Sequence, residues 1–339
     1  MNYLKIIKNT GIIAYLFFNQ SFIYASQTLV DSTAIIKILP SHNKEYVFTK
    51  HTISVIKKGK PLFLSTIESE IKDVIEYRDS LWIGTTKGLY TYDIKNAILQ
   101  KSSAVSDNLN ISKVKVDAEG SFWIASINNG LWRLKKNKAD KLLDVSPIYS
   151  LEVSSDTAVW AGSNIGLYKL NRRTNSWQRY AEEGYSGYEI PDNIVENLFC
   201  DLHNNMWVIM PDEFAFISSQ NYDGHIPGFR NVVAQDFELK FITEITNNQY
   251  MIVTSKGIFL MPNSPSDNHQ ESHEVKAGPE QKMYLLTNQQ LLLNKNLDTK
   301  YITTASKDIK GNLLLSYNNV VYCVKKKTIK NIINDLNKL

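Results

Sequence analysis

The chain has 339 residues, 43% of them apolar and 11% aromatic, with 38 basic against 34 acidic side chains and a formal charge of +4. That composition is ample for a packed core and excludes disordered, collagen-like and disulfide-stapled classes. So small a charge also excludes a nucleic-acid-binding polyelectrolyte.

At the N-terminus, Lys5 and Lys8 precede the apolar stretch Gly11–Phe18, and Ala25 closes a polar-interrupted segment. This pattern reads as a secretory signal peptide over residues 1–25, cleaved after Ala25. Asn19, Gln20 and Ser21 break the apolar stretch well short of the ~20 residues that a membrane span needs. The expectation is therefore a periplasmic or secreted chain with no transmembrane span after cleavage. Its two cysteines, Cys200 and Cys323, lie in apolar, strand-like runs and read as buried free thiols.

From residue 80 onward the sequence repeats itself. Ser80-Leu81-Trp82-Ile83-Gly84-Thr85 followed by Gly88-Leu89-Tyr90 returns as Ser121-Phe122-Trp123-Ile124-Ala125-Ser126 with Gly130-Leu131-Trp132. It returns again as Ala158-Val159-Trp160-Ala161-Gly162-Ser163 with Gly166-Leu167-Tyr168. Weaker copies place one bulky apolar residue at the same point, so the aligned positions are Tyr46, Trp82, Trp123, Trp160, Trp207, Met251, Tyr284 and Leu314, 30 to 47 residues apart.

Each repeat divides into four short strands. An alternating segment such as Ile111–Val116 leads through Ala118-Glu119-Gly120 into the near-continuous apolar Trp run; a glycine-closed turn leads to a third strand, and a basic or Asn-rich turn to a fourth. Four antiparallel strands per ~40 residues are the pattern of a propeller blade. The fold class is therefore all-β, a β-propeller of seven or eight four-stranded antiparallel blades over residues 26–324. The tail, residues 325–339, reads either as an edge strand over Thr328–Ile333 that completes the last blade or as a short terminal helix. The bulky residue of each repeat supplies the packing between blades, and its small neighbour two positions on (Gly84, Ala125, Gly162) leaves room for the adjacent sheet.

The repeat phrase, with Val105-Ser106-Asp107-Asn108 and Ile190-Pro191-Asp192-Asn193 as entry turns and Asp117 and Asp201 closing the first strand, resembles the two-component regulator propeller repeat of periplasmic sensors. The resemblance is specific over about residues 71–217 and implies seven blades. It further implies a non-enzymatic sensory or binding role, linked to a histidine kinase or cyclase carried by a separate membrane sensor protein. A propeller enzyme resembling the streptogramin lyases is the alternative.

The long connection from Tyr180 to Asp192 combines aromatic faces with carboxylates, which suits a glycan or a peptide. Tyr180, Tyr185, Tyr188 and Glu189 are the candidate ligand contacts. Asp107, Asn108, Asp192 and Asn193 read as turn formers, because Asx side chains bond their own backbone. His269 and His273 are close in sequence but sit in an aperiodic polar stretch, and His203 sits in a turn; no metal site, cofactor, catalytic residue or nucleic-acid partner is expected.

Overall fold

The computed structural model describes residues 5–7, 34–154, 158–183, 189–211, 213–219, 230–233, 238–246, 249–261, 282–286 and 298–336. The signal-peptide reading falls outside these, apart from Lys5–Ile7, which pairs in parallel with Lys282–Leu285.

Seven sheets follow one another along the chain, each antiparallel and laid down in the order of its strands apart from the parallel edge segment Lys5–Ile7. Blade one is Lys37–Ser41, Lys44–Phe48, Thr52–Lys57 and Lys60–Thr66; blade two is Ile71–Tyr77, Ser80–Thr85, Gly88–Asp93 and Ile98–Lys101. Blade three starts at Ile111–Val116, blade four at Ile148–Ser154, blade five at Asn197–Cys200, blade six at Leu239–Thr246 and blade seven at Ile302–Lys307. These first strands contact one another in sequence, and the seventh contacts the first, so the sheets close into a seven-bladed β-propeller with the first strands innermost.

The choice between seven and eight blades is settled by Tyr284. It lies in Lys282–Leu285, which pairs with Gly257–Met261 in the register Leu260↔Tyr284 and is therefore the fourth strand of blade six, not the core of an eighth. Apolar alternation alone cannot distinguish a second strand from a fourth. At the other seven positions the bulky residue is in place. Trp123, Trp160, Trp207, Tyr46, Met251 and Leu314 are buried, and Trp82 is half-buried with its ring 3.9 Å from that of Phe122 in blade three.

The turn between first and second strands has a single construction in three blades. The Asp117 carboxylate accepts from Ser121 N at 2.9 Å and Trp123 Nε1 at 3.0 Å, and Asp201 and Asp308 accept from the backbone of Asn205 and Asn312 in the same way. Three residues after each Asp the chain must turn left-handed, and that position holds Gly120 (φ 78°), Asn204 (φ 62°) or Gly311 (φ 76°).

Among the described residues blade seven has three strands, and the tail is not the edge strand but a helix, Lys326–Leu336. Ile329, Ile332 and Ile333 are spaced for one helical face and are buried against Met251, Leu260 and Val324 between blades six and seven. Blade one is made wholly of residues 37–66, so the ring closes by packing: Ile35, Ile38 and Val47 meet Leu314, Val321 and Cys323. Neither cysteine forms a disulfide; Cys323 is buried in this closure and Cys200 is half-buried on the inner strand of blade five.

Candidate functional site

Strand pairing sets the inner strands in one register. Lys37, Asp73, Lys113, Ser150 and Asn197 lie opposite Phe48, Gly84, Ala125, Gly162 and Ile209 and so share one rung of blades one to five. One rung along, Ile38, Val74, Val114, Leu151, Leu198 and Ile242 are buried between blades. One further, Lys115 and Glu152 stand opposite Trp123 and Trp160. Because side chains alternate across a strand, the apolar rung turns to the core while the rungs beside it carry charge to the central channel.

Those charges are joined from blade to blade. Lys37 Nζ lies 2.6 Å from Asp73 Oδ1, and Asp73 Oδ2 accepts from Val114 N at 3.0 Å. Lys115 Nζ lies 2.6 Å from Glu152 Oε1. Burial works against the Asp73 charge, but the ammonium groups of Lys37, Lys113 and Lys115 outweigh it and hold the carboxyl at about 2. Lys113 has no ion pair among the described residues, and burial, then the neighbouring Lys37 and Lys115, lowers its pKa. Burial is also the main reason that the Cys200 thiol is pushed up to about 12, with Glu152 and Asp201 adding to it. Glu244, buried on the inner strand of blade six, accepts from Leu202 N of blade five at 2.9 Å. An ionised, paired Asp73 is no proton donor, and a protonated Cys200 is no nucleophile.

The candidate loop rises at the end of the ring that carries the connections between blades. Its base is stapled: Arg179 donates to Glu183 Oε1 at 2.7 Å, Asn193 Nδ2 to Glu183 Oε2 at 2.8 Å, and Glu182 N to Asn193 Oδ1 at 2.9 Å. Ala181 bridges Glu189, which is exposed. Tyr185 and Tyr188 lie outside the described residues. Tyr180 is placed differently from the expectation: it is only 1% exposed and stacks on Trp160, ring centres 6.1 Å apart, so it cannot meet a ligand. It ends the fourth strand of blade four, where its side chain closes the blade rather than opening the mouth.

Of the expected turn formers, Asp192 behaves as one, its Oδ1 accepting from Ile194 N at 2.8 Å. Asp107 instead pairs with Lys101, the Asn193 side chain bonds Glu182 and Glu183 across the loop base, and Asn108 enters through its backbone oxygen, which accepts from Asn128 Nδ2 at 2.7 Å. His203 lies in a turn and donates its backbone N–H to Asp201. His269 and His273 lie outside the described residues. Among the described residues, no three His, Cys, Asp or Glu side chains are grouped to hold a metal ion.

No family model and no curated protein matches this sequence. Solved structures do resemble the fold. The extracellular domain of a candidate hybrid two-component system from B. thetaiotaomicron aligns at TM-score 0.62 and 12% identity, covering 86% of this chain and 40% of its own. A streptogramin B lyase aligns at TM-score 0.64 and 12% identity, covering 87% of this chain and 95% of its own. PorZ, a surface component of the type-IX secretion system of Porphyromonas gingivalis, aligns at TM-score 0.61 and 11% identity, covering 86% and 46%. At these identities the likeness is one of fold alone. It includes a sensor propeller and an enzyme on the same scaffold, so function has to be argued from the residues.

Proposed function

We propose that this chain is an exported, non-enzymatic β-propeller that binds a glycan or peptide ligand at its loop-bearing mouth and serves signal sensing through a separate membrane sensor carrying a kinase or cyclase. The observation behind this reading is the contrast between mouth and channel. The channel charges on blades one to four are largely paired with each other and Cys200 is held as a thiol, whereas the stapled loop base presents Glu189 to solvent beside Tyr185 and Tyr188 in sequence. Rings flanked by a carboxylate suit sugar hydroxyls or a peptide backbone. The signal-peptide pattern and the shared fold with an extracellular sensor domain support placement outside the cytoplasm. The lyase alternative draws on fold alone and brings no residue set to this chain.

A screen of envelope glycan fragments and peptides against the purified protein tests this. Saturable binding is expected, lost in Tyr185→Ala/Tyr188→Ala/Glu189→Ala with an unchanged melting temperature. Binding indifferent to all three substitutions refutes the site. A stoichiometric divalent metal with turnover that chelation abolishes refutes the non-enzymatic reading.

A further inference from the structure

In a four-stranded meander, the turns from first to second and from third to fourth strand share one face of the ring, opposite the mouth. On that face the third-to-fourth tips are basic in four blades. They read Lys57-Lys58-Gly59-Lys60 in blade one, Lys135-Lys136-Asn137-Lys138 in blade three and Arg172-Arg173-Thr174-Asn175 in blade four. In blade seven the equivalent position is Lys325-Lys326-Lys327 at the start of the terminal helix. Lys57, Lys58, Lys136, Arg173, Lys326 and Lys327 are all exposed.

Both faces pair some of their cations. At the mouth Lys50 and Lys72 pair with Glu70, Lys101 with Asp107, Lys141 with Asp144 and Arg179 with Glu183. On the tip face, among the described residues, Asp201 and Asp308 hold turns, Glu119 pairs with Lys135 and Arg172, and Asp140 pairs with Lys138, while Lys57, Lys58, Lys136, Arg173, Lys326 and Lys327 enter no ion pair with a described residue. Asp79 also lies exposed on this face. The described tips of blades seven, one, three and four thus form a basic arc on one side of a near-neutral chain; the third-to-fourth connections of blades five and six, with Asp223, Asp267, Glu271, Glu274 and Glu280, lie outside the described residues. Lys326 and Lys327 even occupy the first helical turn, where the helix dipole disfavours cations, a placement that stability alone does not favour.

The same face carries the two most exposed large apolar side chains among the described residues, Leu202 at 69% and Ile309 at 64%. Each directly follows the turn-holding aspartate, Asp201 or Asp308, and so projects from a rigid turn. We propose that this face docks on an anionic phospholipid surface, with the basic tips over the headgroups and Leu202 and Ile309 entering the interface. Basic groups spread along an arc of tips, rather than converging on a groove, match a plane of negative charge, and apolar side chains projecting from the same face suit a lipid interface. Docking this way turns the mouth toward solvent.

The test is co-sedimentation of the full chain with phosphatidylcholine vesicles, with and without phosphatidylglycerol. Binding is expected only with phosphatidylglycerol and is expected to fall steeply with salt. Lys57→Glu/Lys58→Glu/Lys136→Glu/Arg173→Glu lowers it by more than about tenfold at an unchanged melting temperature. Leu202→Ser/Ile309→Ser lowers it several-fold, and Lys87→Glu/Lys256→Glu at the mouth leaves it unchanged. Equal binding to neutral vesicles, full binding by the fourfold variant, or binding to a soluble polyanion without binding to vesicles overturns the proposal. None of these outcomes bears on the ligand screen, which reads the opposite face.

Discussion

Replacing Gly162 by alanine probes how closely neighbouring blades approach. A Cβ on Gly162 would lie 2.2 Å from Ser150 Oγ, 2.5 Å from Val195 Cγ1 and 2.7 Å from Val195 O. The last contact decides the outcome, because Val195 cannot retreat: it is fully buried and its N–H is held by Ser163 O at 2.8 Å. Overpacking of a tight core costs ~1–3 kcal/mol, and displacing Ser150 Oγ from its 3.3 Å bond to Val195 O adds about 1 kcal/mol, so ~2–4 kcal/mol is expected. Gly84→Ala meets only side-chain methyls, Ile111 Cγ2 at 2.5 Å and Val114 Cγ2 at 2.8 Å. These are stiff β-branched residues, yet they can yield more than a backbone carbonyl, and ~1–2 kcal/mol is expected. Blade three carries a fully buried Ala125 at the equivalent place, so the ring accommodates a methyl there. Urea denaturation followed by far-ultraviolet circular dichroism measures both substitutions. Gly162→Ala within about 0.5 kcal/mol of the parent, or a larger loss from Gly84→Ala, would refute the account of blade spacing.

Trp123→Ala is expected to cost ~3–5 kcal/mol by leaving a cavity among Leu131, Leu151 and Leu170 and freeing Asp117 Oδ2 of its indole partner. Trp123→Phe should cost clearly less, and equal losses in denaturant titrations would contradict the cavity argument. Asp73 has its carboxyl held at about 2 against an ordinary 3.8. A depressed acid contributes stability above its ordinary pKa and loses it as pH falls through the folded value, so ~2 kcal/mol should disappear between about pH 4 and pH 2. Thermal unfolding of the parent and Asp73→Asn should therefore converge over that window; a constant difference would show that the pair carries no such linkage. Cys200, raised to about 12, should resist alkylation in the native state at mildly alkaline pH and react on addition of urea. Native labelling at the rate of an open peptide thiol would place it elsewhere.

Much of the ring can be read from the chain because a blade repeats its physical demands. Trp123 and Trp160 recur with a small residue two places on and a glycine-closed turn after it, and each of those residues answers a steric need that the next blade shares. Tyr284 misleads for the opposite reason: the alternation of a fourth strand matches that of a second, and only its pairing with Leu260 separates them. The terminal helix was legible in principle, since Ile329, Ile332 and Ile333 follow the helical period rather than the strand period. Tyr180 was placed at the mouth by its position beside the loop; its stacking on Trp160 depends on where the fourth strand ends.

The charges escaped for a deeper reason. In Ile111–Val116 the lysines alternate with apolar residues, which on an ordinary sheet makes Lys113 and Lys115 the wet face. Closing the ring converts that wet face into a channel wall, so Lys115 becomes the half-buried partner of Glu152 on the next blade and Lys113 joins Lys37 and Lys115 in the field that holds Asp73 ionised. Net charge is equally blind to placement. A formal +4 argues for no anionic partner if the cations are evenly spread, but a meander sends its hairpin tips to one face, and the runs at 57–60, 135–138, 172–173 and 325–327 are all tips on that face. Tips separated by tens of residues to more than a hundred look unrelated along the chain and come onto one face only when the blades are set in a circle. The repeat that fixes the scaffold therefore also gathers dispersed residues into surfaces, and any function carried by such a surface is written at the period of the blade rather than in a local motif.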